Sequence, residues 1–252
     1  MVEKAMTTEE MLAVMDRAGV QRAVLVQSAG LYGFDNSYIA DSAQTHPERC
    51  IALCAIDVLA SDAPHVLRFW IEERHMHGVR LTAADELDNP QTYVVWEETR
   101  RLAVPVDVQM QPRHLTKLKT VLERFPDIPV LVDHAANVNR RRPDGTTPAE
   151  PPEELIELAA YPNLYLKVTN QNIDGIFEAD VTPEVFLGPV VDRFGPQRLM
   201  WGSDSPATGD QPYEERYSQA RAAFSYLSHK EQDFVFGGTA LRIWPQLAGN
   251  SA

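Results

Sequence analysis

Seven polar residues stand where short apolar segments of the chain end, and their types could carry acid–base and electrostatic chemistry. Asp204 follows an apolar run that ends at Trp201 and a turn at Gly202, and His134 follows a run of Val and Leu. An aspartate can act as a general base, and an imidazole can donate a proton or a hydrogen bond. The full set comprises Gln27, Asp57, Arg80, Gln109, His134, Lys167 and Asp204.

Each of these residues could also be purely structural. A carboxylate just past a strand often caps the next helix, and Asp204 taken alone is equally consistent with that role. Seven strands that all end in a polar group are harder to explain by capping. Burying such groups costs free energy unless they pair with each other or with a ligand. The pattern therefore predicts a shared site at one end of a sheet.

Short apolar strands that alternate with helices must position this set. Thr7 and Glu10 form a capping box that opens the first helix, and Gly19 ends it. Such alternation is typical of a parallel sheet covered by helices. The predicted strands cover residues 22–27, 51–56, 78–81, 104–109, 130–133, 163–168 and 199–201. Further helices are predicted at residues 37–46, 64–75, 91–103, 114–125, 153–160, 183–194, 213–227 and 229–235, with polar loops at 28–36 and 135–152.

Seven strands are one fewer than a closed (β/α)8 barrel requires. We predict an α/β fold of the TIM-barrel type, distorted, with its first strand missing or irregular, over a single domain of residues 1–252. An open doubly wound sheet is the alternative, but no glycine-rich phosphate-binding turn follows the first predicted strand. Barrels keep their chemistry at the C-terminal ends of the strands, which is where the polar set lies.

Charge and cysteine content exclude several classes of function. The net charge of −13 argues against nucleic acid and anionic membranes as partners, because both require basic patches. Cys50 and Cys54 would lie about 13 Å apart on one face of a strand, too far for a disulfide. We expect them to be core residues in a reducing compartment. With no signal peptide and no apolar run of about 20 residues, the sequence predicts a cytoplasmic protein.

Motifs spread from about Thr7 to Trp244 resemble one family. They look like the amidohydrolase-related family (amidohydrolase 2), and within it like the branch that contains sugar-lactone and 2-pyrone-4,6-dicarboxylate lactonases. That family is a distorted (β/α)8 barrel, which agrees with the strand count. The motifs are Asp-Asn-Ser-Tyr at 35–38, His-Pro-Glu-Arg at 46–49, Gly-Val-Arg-Leu at 78–81, Val-Asp-His at 132–134, Asn-Leu-Tyr-Leu-Lys at 163–167 and Arg-Leu-Met-Trp-Gly-Ser-Asp-Ser-Pro at 198–206.

The sequence departs from the family at its metal ligands. The first strand of the family ends in His-x-His, and residues 1–6 contain no histidine. Metal-dependent members also use a histidine at the end of the fifth strand, where this chain has Gln109. His134 and Asp204 remain, and a catalytic zinc usually needs about three protein ligands. We therefore predict no tightly bound metal and no other cofactor.

The resemblance implies hydrolysis of a lactone or a related carboxylic ester, with a small-molecule lactone or carboxylate as the partner. Asp204 would act as general base on a water, and His134 would stabilise the oxyanion. Arg80 is well suited to bind a substrate carboxylate. It is the only arginine of the set, so the sequence is as consistent with a neutral or monoanionic substrate as with a dicarboxylate. The loop of residues 139–142 is either a cover for the pocket or a solvated turn. The remaining pocket residues would be Gln109, Lys167, Tyr32 and Asn36.

Two other functions stay open. One is a metal-dependent decarboxylase of an unsaturated or aromatic acid on the same scaffold. The other is a catalytically impaired barrel or fragment that acts as a binding protein. An open barrel leaves the edges of residues 22–27 and 199–201 unpaired, and such edges invite pairing with another chain. A homo-oligomer is therefore among the expected states.

Overall fold

The computed structural model of the chain describes residues 6–207 and 211–248. Its seven strands form one sheet in the order β1-β2-β3-β4-β5-β6-β7, and each strand pairs in parallel with the next. The prediction of an α/β fold with seven parallel strands is confirmed. The strands are β1 (Ala23–Val26), β2 (Cys50–Ala55), β3 (Val79–Leu81), β4 (Val106–Val108), β5 (Val130–Val132), β6 (Leu164–Thr169) and β7 (Leu199–Gly202).

Twelve α-helices occur in the described part of the chain, most of them between consecutive strands. The first begins at the predicted capping box, in which Thr7 Oγ1 accepts from the Glu10 N–H at 3.2 Å. The helices are α1 (Thr8–Ala18), α2 (Ala29–Tyr32), α3 (Ser37–Thr45), α4 (Ala63–Arg68), α5 (Tyr93–Leu102), α6 (Leu115–Arg124), α7 (Glu153–Glu157), α8 (Asn170–Glu178), α9 (Pro183–Phe194), α10 (Tyr213–Ala223), α11 (His229–Asp233) and α12 (Thr239–Ile243).

The alternation of side chains along the strands decides what faces the inside of the barrel. In β3 and β4 the flanking residues Val79, Leu81, Val106 and Val108 pack into the large core between sheet and helices. Successive side chains of a strand point to opposite faces, so the charged residue in the middle of each strand points the other way, into the barrel. These residues are Arg80 and Asp107. Lower in the barrel the inward layer is apolar and contains Ile51, Leu53, Leu131, Met200 and Trp244.

Three helices were not predicted from the sequence. Helix α2 is a single turn inside the predicted loop 28–36, α8 directly follows β6, and α12 lies beyond the last predicted helix. The helix predicted at residues 64–75 is α4 followed directly by one wider helical turn, Phe69–Glu73. The predicted core cysteines, Cys50 and Cys54, are both buried and free, as expected.

The sheet does not close on itself within the described residues. β1 and β7 each pair on one side only, and a single cavity is lined by both of them. β1 is only partly buried along its length, whereas every residue of β2 is buried. Among the helices of the described part, none is long and apolar enough to cross a membrane.

Candidate active site

One cavity of about 820 Å³ opens at the C-terminal ends of the strands and extends along the gap between β1 and β7. Side chains from four strands or the residues just after them meet there. His134 follows β5 and Asp204 follows β7, so the structure brings the two predicted catalytic residues to the same cavity although 70 positions separate them in the chain. Arg80 and Lys167 line it as well.

Beneath the cavity lies a buried cluster of two cations and two carboxylates, which we call the charge cluster: Arg80, Asp107, Asp133 and Lys167. Arg80 Nη2 donates to Asp133 Oδ2 at 2.5 Å, and Lys167 Nζ contacts Asp133 Oδ1. Lys167 Nζ also lies 3.1 Å from Asp107 Oδ2, and Arg80 Nε lies 3.9 Å from the same oxygen. The side chains of the two carboxylates are 0% and 3% exposed. Formal charges within the cluster therefore cancel.

The two carboxylates of the charge cluster are not equivalent. Burial, together with the neighbouring charge of Asp133, raises the pKa of Asp107 to about 6. Burial also opposes ionisation of Asp133, but the direct contacts of Lys167 and Arg80 outweigh it and hold the pKa of that carboxyl well below its usual range. Asp133 is thus the firmly ionised partner of both cations.

His134 occupies an unusual backbone position. It begins a run of four residues in the left-handed region, with φ values of 52°, 44°, 59° and 58°. The side chain is buried and its Nδ1 lies 2.7 Å from Thr169 Oγ1. Burial is the main cause that lowers the pKa of His134, although Asp133 and Asp204 act in the opposite direction. The ring is therefore held in its neutral form at lower pH than an ordinary histidine.

Asp204 stands two residues beyond β7 with φ of 54°. Helix α10 begins at Tyr213 and its N-cap is Pro212, so the alternative that Asp204 caps this helix is wrong. Burial raises the pKa of Asp204, and the charge of His134 only partly offsets it. A carboxylate with a raised pKa beside a cavity is a typical feature of a catalytic acid or base.

The structure places two predicted pocket residues elsewhere. Gln109 is exposed and does not line the cavity. Asn36 is fully buried, and its side-chain amide bonds both the N–H and the C=O of Ala55, at 2.7 Å and 3.0 Å. Its role is to hold the end of β2 in place. Tyr32 does line the cavity and is 60% exposed.

The loop of residues 139–142 does not cover the cavity. Asn139 is buried, and its Nδ2 donates to Asn172 O at 2.6 Å. Arg140, Arg141 and Arg142 are exposed and are not among the cavity residues. A solvated surface turn is the interpretation that agrees with this arrangement.

Three buried residues at the site were missed by the sequence reasoning. Asp133 and Thr169 line the cavity, and Asp107 lies below it. The position of Asp107 could have been predicted from the sequence. It stands between Val106 and Val108, and successive side chains of a strand point to opposite faces, so the carboxylate must point away from the apolar face. The importance of Thr169 depends on the three-dimensional position of α8, and no local pattern marks it.

The side chains at the site do not match the ligand set of a catalytic metal. In the described part of the chain, no group of three or more His, Cys, Asp and Glu side chains is arranged to hold a metal ion. His134 and Asp204 are two donors, and a further carboxylate that lines the cavity, Asp133, is already bonded to Arg80 and Lys167. A catalytic zinc needs about three protein ligands, so the residues present do not fit one.

Comparison with known proteins agrees with this fold. The chain is 28% identical over 249 residues to L-fucono-1,5-lactonase of Burkholderia ambifaria. This alignment covers 94% of this chain and 84% of that protein. It is 25% identical to 4-sulfomuconolactone hydrolase of Rhizobium radiobacter, over 80% of this chain and 66% of that protein. An amidohydrolase of Burkholderia multivorans solved with bound zinc has a TM-score of 0.76 at 21% identity, covering 96% and 89% of the two chains.

The family itself follows from the match along the sequence. A family model described as amidohydrolase matches residues 4–246, nearly the whole chain. This confirms the resemblance inferred from the motifs between Thr7 and Trp244. The protein belongs to the amidohydrolase family.

Proposed function

We propose that the protein is a hydrolase that opens a lactone or a related carboxylic ester by water attack assisted by Asp204. The observation that carries the proposal is that Asp204 and His134 come from different strands and line the same cavity. Their environments shift their pKa values in opposite directions, upward for the acid and downward for the imidazole. These shifts suit Asp204 as a base that takes up a proton and His134 as a neutral imidazole that donates a hydrogen bond.

In this mechanism Asp204 accepts a proton from the attacking water as the water adds to the substrate carbonyl. The carbonyl oxygen becomes an oxyanion, and His134 donates a hydrogen bond to it. When the ester bond breaks, Asp204 returns the proton to the leaving alkoxide. No step requires a metal, and we propose that the reaction is metal-independent.

The charge cluster restricts the substrate. Arg80 and Lys167 line the same cavity as His134, and Asp107 and Asp133 compensate both of them. Arg80 Nη1 is also bonded to Gln27 O at 3.1 Å. The cluster therefore offers no net positive charge to a substrate with two carboxylates. We infer that a neutral or monoanionic lactone is the better substrate.

A panel of lactones tests the proposal. Sugar lactones, simple six-membered lactones and pyrone dicarboxylates would be incubated with the purified protein, and ring opening followed by proton release above the spontaneous rate. We expect turnover of neutral or monoanionic members and little turnover of the dicarboxylates. Absence of turnover across the whole panel would contradict the proposal.

Metal content is a separate prediction. The donors at the site do not form a zinc ligand set. After dialysis we therefore expect the protein to retain less than about 0.1 equivalent of zinc or manganese per chain. Inductively coupled plasma mass spectrometry on the purified protein measures this. One equivalent of either metal retained through dialysis, together with activity lost on its removal, would contradict metal independence.

The pH dependence follows from the two shifted groups. Activity needs ionised Asp204, whose pKa is raised, so kcat/KM should fall on acidification at a pH above that expected for an ordinary aspartate. Neutral His134 is also required, and its lowered pKa keeps it neutral over most of that range. Rates measured from about pH 4 to pH 9 give the profile. A profile that stays flat down to the ordinary aspartate range would exclude Asp204 as the base.

The unpaired edges of the sheet support a second candidate, a barrel that binds another chain. β1 and β7 present their outer edges to the same cavity, and such edges are sites of strand pairing. A homo-oligomer is one form this takes. The decarboxylase alternative normally needs a metal, which the donor set does not favour. The free buried cysteines, Cys50 and Cys54, support a reducing, cytoplasmic setting for either candidate.

A further inference from the structure

His134 is anchored by a buried network that comes from the start of α8. Its Nδ1 lies 2.7 Å from Thr169 Oγ1, and its backbone carbonyl accepts from Asn172 Nδ2 at 2.8 Å. Asn139 closes the network, because its Oδ1 accepts from Asn172 Nδ2 at 2.8 Å. Thr169, Asn172 and Asn139 are 2%, 1% and 1% exposed, so water does not compete for these bonds.

The orientation of Asn172 is fixed by its partners. Its Nδ2 donates to two oxygens, His134 O and Asn139 Oδ1, which assigns the other side-chain atom as the oxygen. That oxygen accepts from the Thr169 N–H at 3.0 Å. It lies 3.5 Å from Thr169 Oγ1, which is long for a bond between a hydroxyl and an oxygen.

The hydroxyl of Thr169 has one proton to donate, and two acceptors lie near it. His134 Nδ1 at 2.7 Å is far better placed than Asn172 Oδ1 at 3.5 Å. A hydroxyl that donates to Nδ1 requires that nitrogen to be unprotonated. In a neutral imidazole the proton then resides on Nε2.

We propose that Thr169 is a positioning residue that holds His134 as the Nε2–H tautomer, so that a neutral imidazole presents a hydrogen-bond donor to the substrate carbonyl. The assignment of the substrate rests on the proposed function, whereas the tautomer rests on the network alone. The opposite tautomer would offer a lone pair at Nε2 and would repel a developing oxyanion. Thr169 therefore determines whether His134 can stabilise that charge.

The packing of α8 supports this role. Thr169 is the N-cap of α8, and Asn172 lies in its first turn, so the helix start carries two members of the network. Gly175 in the same helix lies so close to Asn139 that a Cβ there would be 2.6 Å from Asn139 O. The close approach sets the distance between α8 and the segment that follows His134.

Histidine nitrogen NMR measures the tautomer directly. The protein would be labelled with 15N-histidine, and two-bond 1H–15N spectra recorded for wild type, Thr169→Val and Thr169→Ser, with His134→Gln used only to assign the signal. Thr99→Val is the matched control, because Thr99 is fully buried and its hydroxyl bonds Val95 O at 2.8 Å on α5. Thr169→Ala serves if the valine variant does not fold.

We expect wild type, Thr169→Ser and the Thr99 control to show Nε2–H, and Thr169→Val to show Nδ1–H or a mixture. On a lactone substrate, Thr169→Val should lower kcat by about 10²-fold, the lower range for loss of an oxyanion donor, with KM little changed and with recovery in the serine variant. A wild-type ring protonated on Nδ1, or an unchanged Nε2–H signal in Thr169→Val and Thr169→Ala, would overturn the proposal. Failure of every lactone would instead defeat the proposed function and leave the spectra to decide the tautomer.

Discussion

Replacing Asp204 with asparagine is expected to lower kcat by about 10²- to 10⁴-fold on any lactone that the wild type hydrolyses. The amide has nearly the same shape as the carboxylate but cannot accept a proton from water at neutral pH. KM should change little, because the base acts on the water rather than on the bound substrate. Initial rates of ring opening at saturating substrate give kcat.

Asp57→Asn is the matched control for this substitution. Asp57 lies two residues beyond β2, as Asp204 lies two residues beyond β7, but Asp57 is exposed, and its Oδ1 accepts from the Leu59 N–H at 3.0 Å. It does not line the cavity. We expect activity close to that of wild type. Equal kcat for Asp204→Asn and wild type would remove Asp204 from the mechanism, whatever the control does.

Much of the fold could be predicted because its signals are local. Six consecutive apolar residues, as in β2, are typical of a strand that is buried on both faces. The predicted and observed limits of α9, Pro183 and Phe194, agree, since a proline opens the helix and Gly195 follows it. The capping box of Thr7 and Glu10 likewise fixes the start of α1.

Helix α8 could not be predicted, because its stability comes from tertiary contacts. Its sequence, Asn-Gln-Asn-Ile-Asp-Gly-Ile-Phe-Glu, is poor in strong helix formers. Asn170 Nδ2 instead donates to Arg216 O at 2.9 Å, and Ile173 and Ile176 are completely buried. Tertiary packing of this kind commonly overrides intrinsic propensity.

The charges of the candidate site also depend on tertiary contacts that the sequence does not reveal. Lys167 and Arg80 could be found as polar residues at strand ends, but not the fact that carboxylates neutralise them. That pairing depends on strand register, which places Arg80 beside Asp107. The positions of the cations are therefore predictable from the sequence. The predicted partner of Arg80 is a substrate carboxylate, whereas in the structure Arg80 is bonded to Asp133.

Asp133→Asn is expected to destabilise the protein by about 3–5 kcal/mol, because it leaves two buried cations short of their main partner. Asp133 contacts both Arg80 and Lys167 and is 2% exposed. Asp107 does not replace it for Arg80, because Asp107 Oδ2 lies 3.9 Å from Arg80 Nε, beyond hydrogen-bond distance. Urea denaturation followed by circular dichroism gives the free energy of unfolding.

Asp127→Asn is the control, because Asp127 forms a two-point ion pair with Arg100, at 2.8 Å and 2.9 Å, in an exposed setting. Solvent screens that pair, so we expect little change in unfolding free energy. The folded-state pKa of Asp133 lies below its ordinary value, so its contribution is present above that value and is lost as pH falls through the folded pKa. The stability difference between wild type and Asp133→Asn should therefore shrink on acidification. Equal effects of the two substitutions at neutral pH would show that the charge cluster does not hold the strand ends together.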